Sequence, residues 1–172
     1  MIRLLRALVV GVLLSSALVQ GATAIEVTKV GDKLVRAFRQ APLDKAETFL
    51  AGYTVLVKLG KVPPRIIKML PISSVAVLYF APNGRVLGWS GKSGVVEPGN
   101  WQIQNRGAGN DLCMFFDKND GQGFCTILSA GRSAQMESTK GNPFGLKANA
   151  PVPYTLGYAG QSLGGVAKKL GL

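Results

Sequence analysis

Residues 75–128 read VAVLYFAPNGRVLGWSGKSGVVEPGNWQIQNRGAGNDLCMFFDKNDGQGFCTIL, and this stretch decides the fold. Short runs rich in β-branched and aromatic side chains alternate in it with turns rich in Gly, Pro and Asn, which is typical of antiparallel strands joined by tight turns. In one run, WQIQ at residues 101–104, apolar and amide side chains alternate, so one face of that strand is expected to be buried. The predicted strands are residues 75–80, 85–90, 101–104, 112–116 and 124–128.

The only two cysteines of the chain lie in the last hairpin of this stretch. If the hairpin is centred on Asn119, Cys113 faces Cys125 and Met114 faces Phe124. Directly opposed residues bring their Cβ atoms close enough for a disulfide. The sequence therefore predicts a Cys113–Cys125 bridge with a structural role. A redox role is the weaker alternative, because the chain has no Cys-x-x-Cys motif.

The rest of the chain carries weaker periodic signals on both sides of this stretch. Val30, Leu34 and Phe38 have helical spacing, and residues 140–153 are rich in turn formers and are expected to cross the surface. The other predicted elements are helices at residues 25–40 and 43–50, a first strand of the sheet at 53–59, strands at 134–138 and 154–156, and a basic amphipathic tail at 161–172.

These elements predict a mainly β fold with one or two N-terminal helices packed on it. The strands are expected to form an antiparallel meander of six to eight members, curled into a small barrel or half-barrel. Residues 25–172 would be a single domain. It divides into a helical lead-in at 25–50, the β meander at 51–138, and an irregular C-terminal segment with the basic tail at 139–172.

Residues 1–24 have the pattern of a secretory signal peptide. Arg3 and Arg6 precede an apolar run at residues 7–18, and Ala22-Thr23-Ala24 is a small-x-small cleavage site. The alternative is a membrane anchor, but the apolar run is too short to span a bilayer. We therefore predict cleavage near Ala24 and a periplasmic or secreted protein, a compartment in which a disulfide is stable.

The charge balance favours anionic partners. The chain has 20 Lys and Arg residues against 9 Asp and Glu residues, a formal net charge of +11, well above what solubility requires. The predicted partners are an anionic envelope polymer, lipid headgroups or a partner protein; nucleic acid is not expected. Peripheral membrane contact is predicted where these cations lie beside exposed apolar side chains. The candidate cations are Lys58, Lys61, Arg65, Lys68, Lys168 and Lys169.

Enzyme activity is not expected. Residues 160–164 match the G-x-S-x-G pattern of a nucleophile elbow, but the chain has no histidine to act as general base. Without histidines, and with both cysteines in a disulfide, no ordinary transition-metal site remains. The Gly91-Lys92-Ser93 run resembles the end of a phosphate-binding loop but has Val86 where that loop needs a glycine. No catalytic residue, metal or cofactor is therefore predicted.

Two tryptophans are the candidate ligand contacts, with Lys92 beside them. The default interpretation is that Trp89 and Trp101 belong to the core. The alternative is that both line a cavity enclosed by the curved sheet, as in a lipocalin-like module for a small apolar or amphipathic ligand. Between these functions the charge favours a non-enzymatic interaction module for anionic envelope components or a partner protein.

Several short motifs of the strand-rich stretch occur together: YFAPNG at 79–84, GWSG at 88–91, GNW at 99–101, DLC at 111–113 and FC at 124–125. In these motifs the chain resembles a family of small exported proteobacterial proteins of unknown function. The resemblance covers residues 43–128 and implies a compact β domain in an exported protein. It implies no catalytic residue, and it does not extend to the N-terminal helices or the basic tail.

Overall fold

Eight strands form one antiparallel sheet in the residues that the computed structural model describes, namely 25–58, 75–119, 123–126, 135–157 and 161–172. Strands β2 to β7 follow one another as a meander, whereas β8 returns to pair with β2, and β1 pairs with β8. The predicted mainly β fold with an antiparallel meander is confirmed. The strands are β1 (Thr28–Lys29), β2 (Tyr53–Lys58), β3 (Val75–Phe80), β4 (Arg85–Ser90), β5 (Glu97–Asn105), β6 (Asn110–Phe116), β7 (Gly123–Thr126) and β8 (Gln135–Lys140).

The sheet is not closed into a barrel. Its order is β1-β8-β2-β3-β4-β5-β6-β7, and within the described residues no pairing joins β7 to β1. The prediction of a barrel is therefore not supported. The physical reason lies in the two faces of the sheet. Both carry apolar side chains, and each is covered by a separate layer of chain, so the sheet does not have to curl on itself to bury them.

Within the described ranges, two short α-helices precede most of the sheet and one follows it: α1 (Asp32–Gln40), α2 (Leu43–Thr48) and α3 (Leu163–Lys169). The predicted N-terminal helices are confirmed, but the first begins later than residue 25 because Thr28 and Lys29 pair with β8. Residues 154–156 were predicted to be a strand, and this is wrong. The carbonyl of Tyr154 accepts a hydrogen bond from the indole of Trp89 (2.8 Å) instead of joining a strand ladder.

One face of the sheet packs against α1 and α2, and we call this the helix-side core. Phe38 of α1 and Ala46 of α2 are buried against strand residues such as Phe80. Its buried members are Val35, Phe38, Ala46, Leu50, Val55, Ala76, Leu78, Phe80, Val86, Trp101, Ile103, Leu112, Met114, Phe116 and Met136.

The other face packs against the chain after β8, and we call this the C-terminal core. Residues 140–153 were expected only to cross the surface, yet Phe144 and Leu146 are buried here, and Val95 forms an isolated bridge with Pro151. Helix α3 completes the cover. The buried members are Leu56, Val75, Val77, Trp89, Val96, Phe144, Leu146, Leu156, Leu163, Val166 and Ala167.

The last hairpin has the predicted register. Cys113 lies opposite Cys125 and Met114 opposite Phe124 in the pairing of β6 with β7. The two cysteines form a disulfide, with their Cα atoms 3.9 Å apart. The β5 alternation is also confirmed, since Trp101 and Ile103 are buried while Gln102 is exposed.

Candidate anion-binding cleft

The two tryptophans lie on opposite faces of the sheet. Trp89 is fully buried in the C-terminal core, and Trp101 is 7% exposed in the helix-side core. The indole N–H of Trp101 donates to the carbonyl of Ala81 (3.0 Å), as that of Trp89 does to Tyr154. Both side chains therefore occupy core positions, and no single cavity can be lined by the pair. That either one contacts a ligand stays a prediction.

Four of the predicted cationic residues lie in the described part of the chain. Lys92 is exposed in the turn after β4, and Lys58 ends β2 and is half-buried. Lys168 and Lys169 are exposed at the end of α3, where the ammonium of Lys169 lies 5.0 Å from the ring centroid of Tyr154. Lys61, Arg65 and Lys68 lie outside the described residues.

The tail helix does not offer an apolar face to a membrane. The expectation was that the apolar residues beside Lys168 and Lys169 are exposed, and this is wrong for Leu163 and Val166, which are 0% exposed. They pack into the C-terminal core because the face of the sheet that carries Trp89 needs a cover. No helix within the described ranges is long and apolar enough to cross a membrane.

The structure instead brings together a basic cleft that the sequence did not predict. It has a volume of about 420 Å³ and lies between the end of α1 and the turn that joins β5 to β6. We call it the arginine cleft. It is lined by Arg36, Arg39, Gln40, Ala41, Asn105 and residues 107–109.

Helix α1 places both arginines at the cleft because of its amphipathic pattern. Val35 and Phe38 are its buried side chains. Arg36 and Arg39 each follow one of them in the sequence, so they stand beside the apolar stripe and three residues apart, which puts them on one side of the helix. A cleft at the boundary of the buried face therefore receives two guanidinium groups.

The β5–β6 turn forms the opposite wall and holds Arg39 in place. Nη2 of Arg39 donates to the carbonyl of Ala108 (2.5 Å). Gly109 has φ +121°, and a Cβ atom there would lie 2.9 Å from the Arg39 carbonyl oxygen and 3.4 Å from its Nε. A side chain at Gly109 would therefore clash with the helix, and this glycine allows the turn to approach α1 closely.

Asn110, at the start of β6, anchors the end of α1 to the same turn. Its side chain is 0% exposed, and its Nδ2 donates to the carbonyls of Phe38 and Ala41, both at 2.8 Å. The carbonyl of Phe38, in the last turn of the helix, also accepts the N–H of Ala41 (3.4 Å), and the carbonyl of Ala41 lies just after the helix. One amide thus fixes the spacing between the two walls of the cleft.

Three of the acceptors around the cleft are already engaged. The carbonyl of Ala108 accepts from Arg39, that of Ala41 from Asn110, and Oδ1 of Asn105 from the N–H of Gly107 (3.0 Å). Among the described residues, no carboxylate lines the cleft. Donors remain, since no described hydrogen bond or ion pair engages the guanidinium of Arg36. The cleft is therefore a concentration of positive charge and N–H donors, which suits an oxyanion.

Several carboxylates elsewhere in the molecule are buried or accept hydrogen bonds from other groups of the protein. Glu97 is 4% exposed and pairs with Lys118 (3.1 Å), and Asp111 is 8% exposed. Glu137 accepts the backbone N–H of Leu163 at the start of α3 (2.7 Å). Fewer exposed negative charges therefore oppose the basic side chains than the number of Asp and Glu residues in the described ranges suggests.

Sequence reasoning missed the arginine cleft although parts of its signal are visible. Residues 106–110 were identified as a turn, and residues 25–40 as containing a helix. The basic spacing of Lys33, Arg36 and Arg39 along that helix could have indicated a charged stripe. Nothing in the sequence shows that this stripe faces the turn, because Arg39 and Ala108 are 69 residues apart.

Comparison with known proteins adds no relative: no family model, no curated protein and no solved structure matches this chain. The resemblance to small exported proteobacterial proteins therefore stays a prediction. The described residues also hold no group of three or more His, Cys, Asp or Glu side chains that could bind a metal ion.

Proposed function

We propose that this protein is an exported, non-enzymatic binding module that docks on anionic groups of the cell envelope through the arginine cleft. The observation that carries the proposal is the lining of the cleft, in which the described residues offer two guanidinium groups and no carboxylate. Guanidinium groups bind oxyanions through paired, charge-assisted hydrogen bonds. The Cys113–Cys125 disulfide fits the oxidising compartment that export would provide.

The charge outside the cleft supports the same role. Within the described residues, ion pairs engage Arg85 with Asp117 and Lys118 with Glu97, and no described carboxylate pairs with Arg106, which belongs to the cleft turn. An excess of exposed cations raises the rate at which an anionic partner is encountered, and the cleft then gives the encounter a fixed geometry.

The alternative of a lipocalin-like module receives no support from the tryptophans. Trp89 and Trp101 are packed against aromatic neighbours on opposite faces, Trp89 at 5.0 Å from Tyr154 and Trp101 at 5.6 Å from Phe80 between ring centroids. The membrane contact that we propose is likewise electrostatic, because Leu163 and Val166 of the tail are committed to the core.

The test is co-sedimentation with lipid vesicles. The protein should bind vesicles of phosphatidylcholine that contain phosphatidylglycerol, should not bind pure phosphatidylcholine vesicles, and should be released by salt. The double variant Arg36→Gln, Arg39→Gln should lose most of this binding. The charge-matched control Lys140→Gln, Lys147→Gln removes two exposed cations that do not line the cleft and should bind nearly as wild type. Equal losses in the two double variants would show that only net charge matters and would refute the cleft as the docking site.

A further inference from the structure

We infer that the arginine cleft selects a phosphate group carrying two negative charges, as in a phosphomonoester, over a carboxylate. This inference rests on the proposed function and names the chemical group that the same site would bind. It follows from the number, direction and rigidity of the donors around the cleft.

The donors approach the cleft from two walls. Arg36 and Arg39 lie on the helix wall, and the N–H of Ala108 lies on the turn wall with no partner in the described hydrogen bonds. Gln40 of α1 and Asn105 of β5 also line the cleft, one from each wall. A carboxylate has two oxygens in one plane, whereas a phosphomonoester has three terminal oxygens in a tetrahedral arrangement. Donors on two walls can be satisfied together by the tetrahedral group.

The charge of a phosphomonoester also matches the charge of the cleft better than that of a carboxylate does. Two guanidinium groups line the cleft, and a phosphomonoester carries a charge of about −1.5 to −2 near pH 7. A carboxylate would leave one guanidinium without a counter-charge. The turn adds Arg106 next to Gly107, so the local field favours the more highly charged anion.

Arg39 is held ready for such a ligand. Its Nη2 is bonded to Ala108, while its Nε is buried against Gly109 without a hydrogen-bond partner. An unpartnered buried N–H destabilises a structure. An acceptor for Nε would relieve this cost, and the bond from Nη2 to Ala108 already keeps the side chain at the cleft.

The cleft is larger than the anion. Its volume of about 420 Å³ lies in the range of small-molecule sites and leaves room for the unit that carries the phosphate. That unit can belong to a soluble phosphomonoester or to a lipid headgroup. The chemistry shared by these two sources is the terminal phosphate, and the experiment separates them.

The experiment is a titration of the isotope-labelled mature protein, followed by the backbone amide signals of residues 107–109. The soluble probes are inorganic phosphate, glycerol 3-phosphate and acetate at equal ionic strength. Phosphate and glycerol 3-phosphate should bind at least roughly tenfold more tightly than acetate, and more tightly at pH 7.5 than at pH 5.5 because the second phosphate pKa is about 6. Vesicles with phosphatidic acid form the lipid arm of the experiment.

The variants make the result specific to the cleft. Arg36 is exposed and makes no described contact, so Arg36→Gln should fold normally and weaken phosphate binding roughly tenfold, the loss of one charge-assisted contact. Arg39→Gln should weaken phosphate binding more than Arg36→Gln does. The thermal unfolding of Arg39→Gln shows whether the β5–β6 turn is still fixed to α1 without the bond from Arg39 to Ala108. Lys147→Gln should bind phosphate as wild type.

The outcomes separate the inference from the proposed function. If glycerol 3-phosphate and phosphatidic acid both bind, the inference is supported for a soluble and for a lipid source. If only one of these two binds, that one identifies the source. If acetate binds as tightly as phosphate, or if Arg36→Gln changes nothing, the inference is overturned, although docking on anionic vesicles would stand. If no anion binds at all, both proposals fail.

Discussion

The two faces of the sheet are covered in different ways. The helix side is closed by two short helices whose apolar residues have regular spacing, and the last turn of α1 is tied to the sheet by Asn110. The C-terminal side is closed mostly by irregular chain. Its backbone is fixed to the loop before β5 by hydrogen bonds from Val96 to Ala150 (2.8 Å) and from Val152 to Gly94 (3.0 Å).

The helices and the irregular chain that cover the two faces are stabilised in different ways. A helix satisfies most of its own backbone groups, so the helix-side cover depends mainly on its apolar stripe. Irregular chain must find partners elsewhere for its buried N–H and carbonyl groups. The chain that covers the C-terminal core therefore depends on specific long-range hydrogen bonds. It also depends on the packing of large side chains such as Phe144 against Trp89 of β4.

The largest effects should come from truncating one large side chain on each face. Phe38→Ala and Trp89→Ala should each lower the free energy of unfolding by about 3–5 kcal/mol, since both positions are almost fully buried. Trp89→Ala also leaves the carbonyl of Tyr154 without its donor. Urea unfolding followed by circular dichroism measures both values.

The control for these truncations is Leu34→Ala on α1. Leu34 is 39% exposed, so this substitution should change the free energy of unfolding by no more than about 0.5 kcal/mol. If Trp89→Ala were as mild as Leu34→Ala, the C-terminal side would not be a true core, and the comparison of the two faces would fail.

A substitution with a smaller effect on stability should distinguish the irregular chain that covers the C-terminal core from the helices that cover the helix-side core. A Cβ atom at Gly91 would overlap the backbone carbonyl of Leu156, whereas at Gly94 nothing lies within 4 Å. Gly91→Ala should therefore push the C-terminal cover away and cost about 1–3 kcal/mol. Hydrogen exchange should show faster exchange at the N–H of Val152, with the N–H groups of α1 unchanged.

Gly94→Ala is the matched control for this prediction. It should leave the exchange rates and the stability close to those of the wild type, because the added methyl group meets no neighbour. Uniformly faster exchange in Gly91→Ala, on both faces alike, would show that the two covers unfold as one unit and not separately.

The smallest effect concerns Tyr154 and alkaline pH. Desolvation by burial raises the pKa of this phenol above its ordinary value of 10.0. The folded state then keeps the proton longer than the unfolded state does, so stability is unaffected below about pH 10 and falls as the pH rises through the folded-state pKa. The variant Tyr154→Phe should show a shallower fall over this range in urea unfolding. Identical slopes for the two proteins would refute the assignment.

The sequence by itself determined the local elements of this protein. Strands β3 and β4 have the predicted bounds, because β-branched runs and the turn at Gly84 (φ +79°) act over a few residues. The register of the last hairpin was also predictable, since the spacing of Cys113 and Cys125 and the turn between them agree on one pairing. The amphipathic pattern of α1 likewise depends on neighbours in the sequence.

The tertiary structure alone decided the order of the sheet, the second cover and the arginine cleft. Strand β8 lies between β1 and β2, and no local pattern specifies that partner. Residues 140–153 have turn-rich composition whether they cross open surface or cover a core. Arg39 meets Ala108 because Asn110 and Gly109 set the distance between a helix and a turn far apart in the chain. Periodicity and turn chemistry report on neighbours in sequence, whereas a site made from distant segments exists only once packing has brought them together.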